Sequence, residues 1–151
     1  MRGANNAQGI GLVEVYDLAA DNGSRLANIS TRGFVDDSSP LIGGLISGGA
    51  GTGNTELTVR ALGPGLQSGL QNELANPALE VRNSDGALLA ENDNYGSPDE
   101  NRARIYPALV PPASRDAATG VSVPAGQYTV IVRGNSGTSG VALVEIYDLN
   151  R

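Results

Sequence analysis

Cysteine, histidine, lysine and tryptophan are all missing from this chain, and its ten basic residues are all arginine. Each absence removes a class of chemistry. Without histidine there is no Ser-His-Asp triad, imidazole base or histidine metal ligand. Without cysteine there is no disulfide framework, thiolate nucleophile or zinc-thiolate site. Without lysine there is no Schiff base and no lysine of a phosphate-binding loop. Aromatics are limited to five Tyr and one Phe, too few for a stacking platform for sugar rings. Most common enzyme designs are closed to this chain, which points to a scaffold.

The 151 residues suit one domain and carry a net charge of −6, with the acids spread over both halves. No basic face is available to neutralise phosphates, so nucleic acid is not an expected partner. An acidic surface attracts cations, which keeps calcium in view. No apolar run approaches the ~18 residues that suggest a membrane span. The opening residues Met1-Arg2-Gly3-Ala4-Asn5-Asn6 contain no hydrophobic signal region. That fits either a cytosolic protein or a mature or trimmed form whose signal has gone.

Glycine is abundant, with 21 Gly and 8 Pro, and the longest stretches free of both are 11 residues, at 12–22 and 141–151. Strands of ~5–6 residues fit such gaps better than helices of ~11–12. The segments also alternate. Leu57, Val59 and Ala61 face one way, and Glu56, Thr58 and Arg60 the other. Tyr128, Val130 and Val132 share a face, as do Ala27, Ile29, Thr31, Gly33 and Val35, and Leu79, Val81 and Asn83. Period two in short segments means half-buried strands. Ser84-Asp85-Gly86-Ala87 predicts a hairpin with a type I′ turn. Asp21-Asn22-Gly23-Ser24 predicts a second turn, between strands near 10–17 and 25–35, and residues 48–54 a flexible loop. One short helix is expected at Asp99–Tyr106, between Pro98 and Pro107. The expected fold is all-β: an antiparallel, jelly-roll-like β-sandwich of about nine strands.

The most informative feature is an internal repeat. Residues 2–18 read RGANNAQGIGLVEVYDL and residues 133–149 read RGNSGTSGVALVEIYDL. The offset is 131 throughout, longer than any solenoid unit. The chain therefore divides into an extra strand and turn at 1–24, copying the 133–149 strand, and a sandwich domain at 25–151. Three explanations compete: a piece of a tandem array, two related positions within one sandwich, or a strand that leaves its own domain to join a neighbour. Strand addition uses main-chain hydrogen bonds at an exposed sheet edge. Passed head to tail, such a contact builds filaments.

The motifs RLANISTRGFV (25–35), LIGGLISGG (41–49), VRALGPGL (59–66), LANPALEV (74–81), ENDNYG (91–96) and PAGQYTVIVRG (124–134), running on to GVALVEIYDL (140–149), resemble a repeat domain of large secreted bacterial proteins. The half from Leu79 onward is similar to the bacterial pre-peptidase C-terminal domain, which pairs an aspartate-bearing hairpin with an AGQYTVIV-like strand. The resemblance implies an extracellular or cell-surface β-sandwich accessory module without catalysis of its own, sometimes binding calcium. Such modules normally hang on larger proteins. A lone unit with a spare strand points instead to self-association.

The candidate site residues follow. The assembly strand is Leu12, Val13, Glu14, Val15 and Tyr16, with Leu143, Val144, Glu145, Ile146 and Tyr147 as its twin. Val13 and Val15 are expected to face a core or interface, and Leu12, Glu14 and Tyr16 the opposite way. Asp93, Asn94 and Asp99 offer oxygen ligands in one short loop, as Ca²⁺ prefers, although Asn and Asp are also ordinary turn residues. Glu14, Glu91, Asp93 and Glu145 are the acids available for paired-carboxylate hydrolysis. A catalytic acid copied into both strands is a poor design, and a place beside Arg60 or Arg133 explains Glu145 better. The expected function is a non-catalytic extracellular subunit that polymerises with itself, head to tail. The alternative is a monomeric accessory or adhesion module binding calcium, polysaccharide or a cell surface.

Overall fold

The computed structural model describes residues 3–150 apart from 8, 19–24, 49–52, 67, 68, 70, 98 and 99. Among these residues eight strands form: β1 (Asn28–Val35), β2 (Leu41–Ser47), β3 (Thr55–Leu62), β4 (Pro77–Asn83), β5 (Leu88–Asn92), β6 (Ala117–Val123), β7 (Gly126–Gly134) and β8 (Gly140–Asp148). They make two four-stranded antiparallel sheets, ordered β1-β8-β3-β6 and β2-β7-β4-β5. Every connection except β4–β5 passes from one sheet to the other. This is the jelly-roll arrangement of two facing sheets, and the all-β sandwich read from the alternation is the fold.

The alternating rows meet between the sheets. Leu57, Val59 and Ala61 of β3, Val144 and Ile146 of β8, Leu79 and Val81 of β4, and Val130 and Val132 of β7 are buried together. Six of these nine side chains are β-branched valine or isoleucine, which suits a pleated face that packs against another. Tyr128 is the one aromatic in this cluster, and its hydroxyl donates to the Pro124 carbonyl at 2.7 Å. That bond satisfies the polar tip of an otherwise apolar ring.

The outer face of β3 departs from the period-two expectation, because Thr58 is as buried as its inward neighbours. The connection between β5 and β6 lies over it. Tyr106 N–H donates to Thr58 Oγ1 at 3.2 Å, and Arg60 Nη1 donates to the Leu109 carbonyl at 3.2 Å. A Cβ on Gly120 would fall 2.5 Å from Arg104 Cβ, so glycine is needed for the cover to rest on β6. The helix expected at Asp99–Tyr106 is shorter than its flanking prolines suggested: a 3₁₀ turn at Glu100–Arg104, with another at Pro107–Leu109.

At the end of the cover sits Asp116, a fully buried carboxylate. Its Oδ1 accepts from the Gly63 and Gly65 N–H groups at 2.9 and 3.1 Å, and its Oδ2 from the Ala113 N–H at 3.2 Å. Three backbone donors compensate a charge that burial would otherwise penalise heavily.

Two turn expectations come out differently. At β4–β5 only Gly86 has positive φ, at 79°, so the turn is not type I′. Gly86 N–H donates to the Asn83 carbonyl and Asn83 N–H to the Ala87 carbonyl, closing a three-residue loop that ends on a left-handed glycine. Asn83 Oδ1 captures the N–H groups of Asp85 and Ala87, and that side-chain clamp selects the longer loop. The turn expected at Asp21–Ser24 lies outside the described residues, as does most of the loop expected at 48–54. The ninth strand, expected near residues 9–18, is not a strand within this chain: those residues join neither sheet.

Candidate assembly strand and its twin

The function-bearing candidate is a pair of sequences, and β8 shows what that sequence requires. β8 lies between β1 and β3, hydrogen-bonded on both edges. Val144 and Ile146 point into the core and are buried. Leu143, Glu145 and Tyr147 take the outer face, the division expected for the duplicated pattern. Glu145 lies directly across from Arg60 on β3. Arg60 Nε donates to Glu145 Oε2, and Tyr147 Oη donates to Glu145 Oε1 at 2.9 Å. The guanidinium carbon also stands 5.4 Å from the centre of the Tyr147 ring. Burial and the Glu145 carboxylate both hold the Tyr147 phenol above its ordinary pKa. Of the two arginines proposed for Glu145, Arg60 is the partner.

The N-terminal copy repeats this local structure. Asn5, with φ 53° and ψ 37°, matches Ser136, with φ 54° and ψ 36°, and the two stand at the same offset of 131. Each sits in a 3₁₀ turn, Ala4–Asn6 and Asn135–Gly137, closed by an equivalent N–H to carbonyl bond. A Cβ on Gly3 would strike the Ala7 carbonyl oxygen, and one on Gly134 the Thr138 carbonyl oxygen. Tyr16 Oη donates to Glu14 Oε1 at 3.0 Å, as Tyr147 does to Glu145. That bond and the carboxylate charge raise the Tyr16 pKa too.

The tertiary setting is missing. Leu12, Val13, Val15 and Tyr16 are 61–78% exposed, and Ile10 and Leu18 more so. No backbone ladder joins residues 9–18 to either sheet. An isolated apolar strand cannot hold itself in water, so this segment carries the side chains of a central strand without the two neighbours a central strand needs. β1 presents the converse: no described strand pairs with its outward edge, and Asn28–Arg32 are all exposed. Arg32 on its outer face makes no ion pair with any described residue. This edge was not singled out in the sequence, though Ser30, Arg32 and Phe34 alternate with Ile29, Thr31 and Gly33 on it.

Of the calcium candidates, Asp99 lies outside the described residues. Asp93 Oδ2 accepts from Asn135 Nδ2 at 2.6 Å, and the Asn94 carbonyl accepts from Ser97 N–H at 2.9 Å. Among the described residues no group of three or more acidic, histidine or cysteine side chains is placed to hold a metal ion. Asp36 is tied to Ser38, whose N–H and hydroxyl both donate to its Oδ1 at 2.8 Å, holding its carboxyl below the usual range. Asp148 stands 3.9 Å from Arg25, a surface pair. A depression of about 270 Å³ beside β6 is lined by Leu89, Asn101, Arg104 and Val121–Pro124, with one ionisable side chain and no carboxylate. No helix among the described residues is long and apolar enough to cross a membrane. No protein-family model matches the chain, and no curated protein matches it.

Proposed function

We propose that this protein is a non-catalytic extracellular building unit that polymerises head to tail, residues 10–17 of one copy joining a sheet of the next. The observation that carries this reading is the pairing of opposites in one chain. A segment with the sequence of a buried central strand is exposed and unladdered, while edge strands of the same molecule keep unpaired hydrogen-bonding groups. Adding a strand satisfies both at once, through main-chain bonds and alternate side chains. Because donor and acceptor surfaces differ, the contact is head to tail and can repeat from copy to copy as a filament. The extracellular setting rests on the resemblance of residues 25–149 to secreted repeat domains.

Sedimentation and electron microscopy of the full chain and of a chain lacking residues 1–20 test this. The full chain is expected to form fibres, and the truncated chain to stay monomeric with an unchanged β-sheet circular dichroism spectrum. Fibres from the truncated chain would overturn strand donation. A full chain that remains monomeric at high concentration would overturn assembly and return the accessory-module reading. A closed dimer would remove the head-to-tail polymer.

A further inference from the structure

Four outermost strands compete for residues 10–17 of a neighbour: β1 and β6 in the first sheet, β2 and β5 in the second. The β6 edge is already occupied, since Ala118 N–H donates to Asn92 Oδ1 at 3.0 Å and nearly the whole strand is buried. On β5 the outer-face charge is Glu91, across from Glu80, so Glu14 would meet like charge there. The outer face of β2 is Ile42, Gly44 and Ile46, which offers Glu14 no cation. β1 differs. In the twin strand, Glu145 lies directly across from an arginine, Arg60. Only one edge strand carries an arginine, and that is β1, at Arg32.

Resting on the assembly reading above, we infer that the β1 edge of a second copy receives the strand, antiparallel, with Glu14 across from Arg32. The rest of the register follows. Leu12 falls opposite Phe34, two exposed apolar side chains on the outer face, and Tyr16 opposite Ser30. On the inner face Val13 falls opposite Gly33, which has no side chain to obstruct it, and Val15 opposite Thr31. Every pair puts outer with outer and inner with inner, as antiparallel pairing demands. The added strand extends the first sheet to five and covers the inner row of β1, where Ile29 and Thr31 are exposed in the single chain.

The absence of native cysteine makes the register directly readable. Directly opposed residues bring their Cβ atoms to about 4.5–5.5 Å, near enough for a disulfide after small adjustment. Leu12→Cys protein is mixed with Phe34→Cys protein and oxidised. In parallel it is mixed with Ile46→Cys for β2, Leu89→Cys for β5 and Ser122→Cys for β6. All five positions are on strands or segments whose substitution leaves the buried core untouched. The 12/34 mixture is expected to yield severalfold more mixed disulfide dimer than the others. A dominant yield with 46, 89 or 122 overturns the β1 assignment but leaves strand donation standing. No mixed disulfide in any mixture, from a chain that also fails to polymerise, overturns both. A chain carrying both Leu12→Cys and Phe34→Cys that closes within one monomer at low and high concentration alike overturns the second copy as partner. As an independent reading, Glu14→Arg and Arg32→Glu should each raise the critical concentration for assembly severalfold, and together restore it. Failure of the double variant to recover overturns the register.

Discussion

Asp116 concentrates more backbone hydrogen bonding than any other side chain described above, and it does so from a fully buried position. Asp116→Ala strands the N–H groups of Gly63 and Gly65 without filling the space. An unmade bond to a buried donor costs about 1–3 kcal/mol, so a total near 3 kcal/mol is expected. For a chain of this size that lowers Tm by roughly 6–12 °C, measurable by calorimetry. Asp116→Asn retains one acceptor oxygen for the two glycine donors and should lose less. Tyr147 makes a separate prediction at alkaline pH. Its phenol titrates above the ordinary tyrosine range because burial and Glu145 disfavour the phenolate. Above the unfolded pKa the unfolded chain sheds this proton while the folded chain keeps it. This contribution to stability is therefore intact below pH 10 and is lost as pH climbs through the folded pKa. Tyr147→Phe should flatten that part of the stability–pH curve in denaturant titrations.

At the scale of elements, the two copies of one strand provide a matched experiment. Val144→Ala removes two buried methyl groups from the core and should destabilise the fold by about 2–3 kcal/mol. Val13→Ala changes the same residue in the same local sequence, yet should leave monomer stability within about 0.5 kcal/mol. It should instead weaken assembly, which light scattering reads. Inner rows such as Leu57-Val59-Ala61 were legible in the sequence, because a period of two is a property of the strand itself. Thr58 and Arg60 were not. The burial of Thr58 and the half-burial of Arg60 come from a cover of irregular chain and 3₁₀ turns that has no period, and only its resting place on Gly120 marks it. The type of the Asp85-Gly86 turn was likewise set from outside the dipeptide, by the Asn83 side chain. The twin strands were legible for the simplest reason, since identity needs no propensity to be seen. What identity did not reveal is that one twin lacks its neighbours, a tertiary fact.

For the whole molecule, the net charge of −6 opposes bringing copies together. A single exposed pair such as Glu14 with Arg32 contributes about 0–1 kcal/mol, so the overall repulsion dominates the salt response. Raising ionic strength from 0.01 to about 0.15 M shortens the screening length from roughly 30 to 8 Å. The critical concentration for assembly should accordingly fall over that range, as turbidity or sedimentation would show. A rise instead would mean that local ion pairs, rather than backbone ladders and apolar contact, govern the association.

The order of strands in the first sheet also dictates a sequence of events in time. Among the described strands, its inner strand β8 is made last, while its partner β1 is made first. Until residue 148 emerges, β1 and β3 cannot be joined, and the sheet waits with a gap at its middle. Residues 10–17, made earlier, have almost the sequence that fills it. An early segment and a late one thus carry nearly the same sequence for a single slot, and in the folded chain the late one, β8, fills it while residues 10–17 join neither sheet.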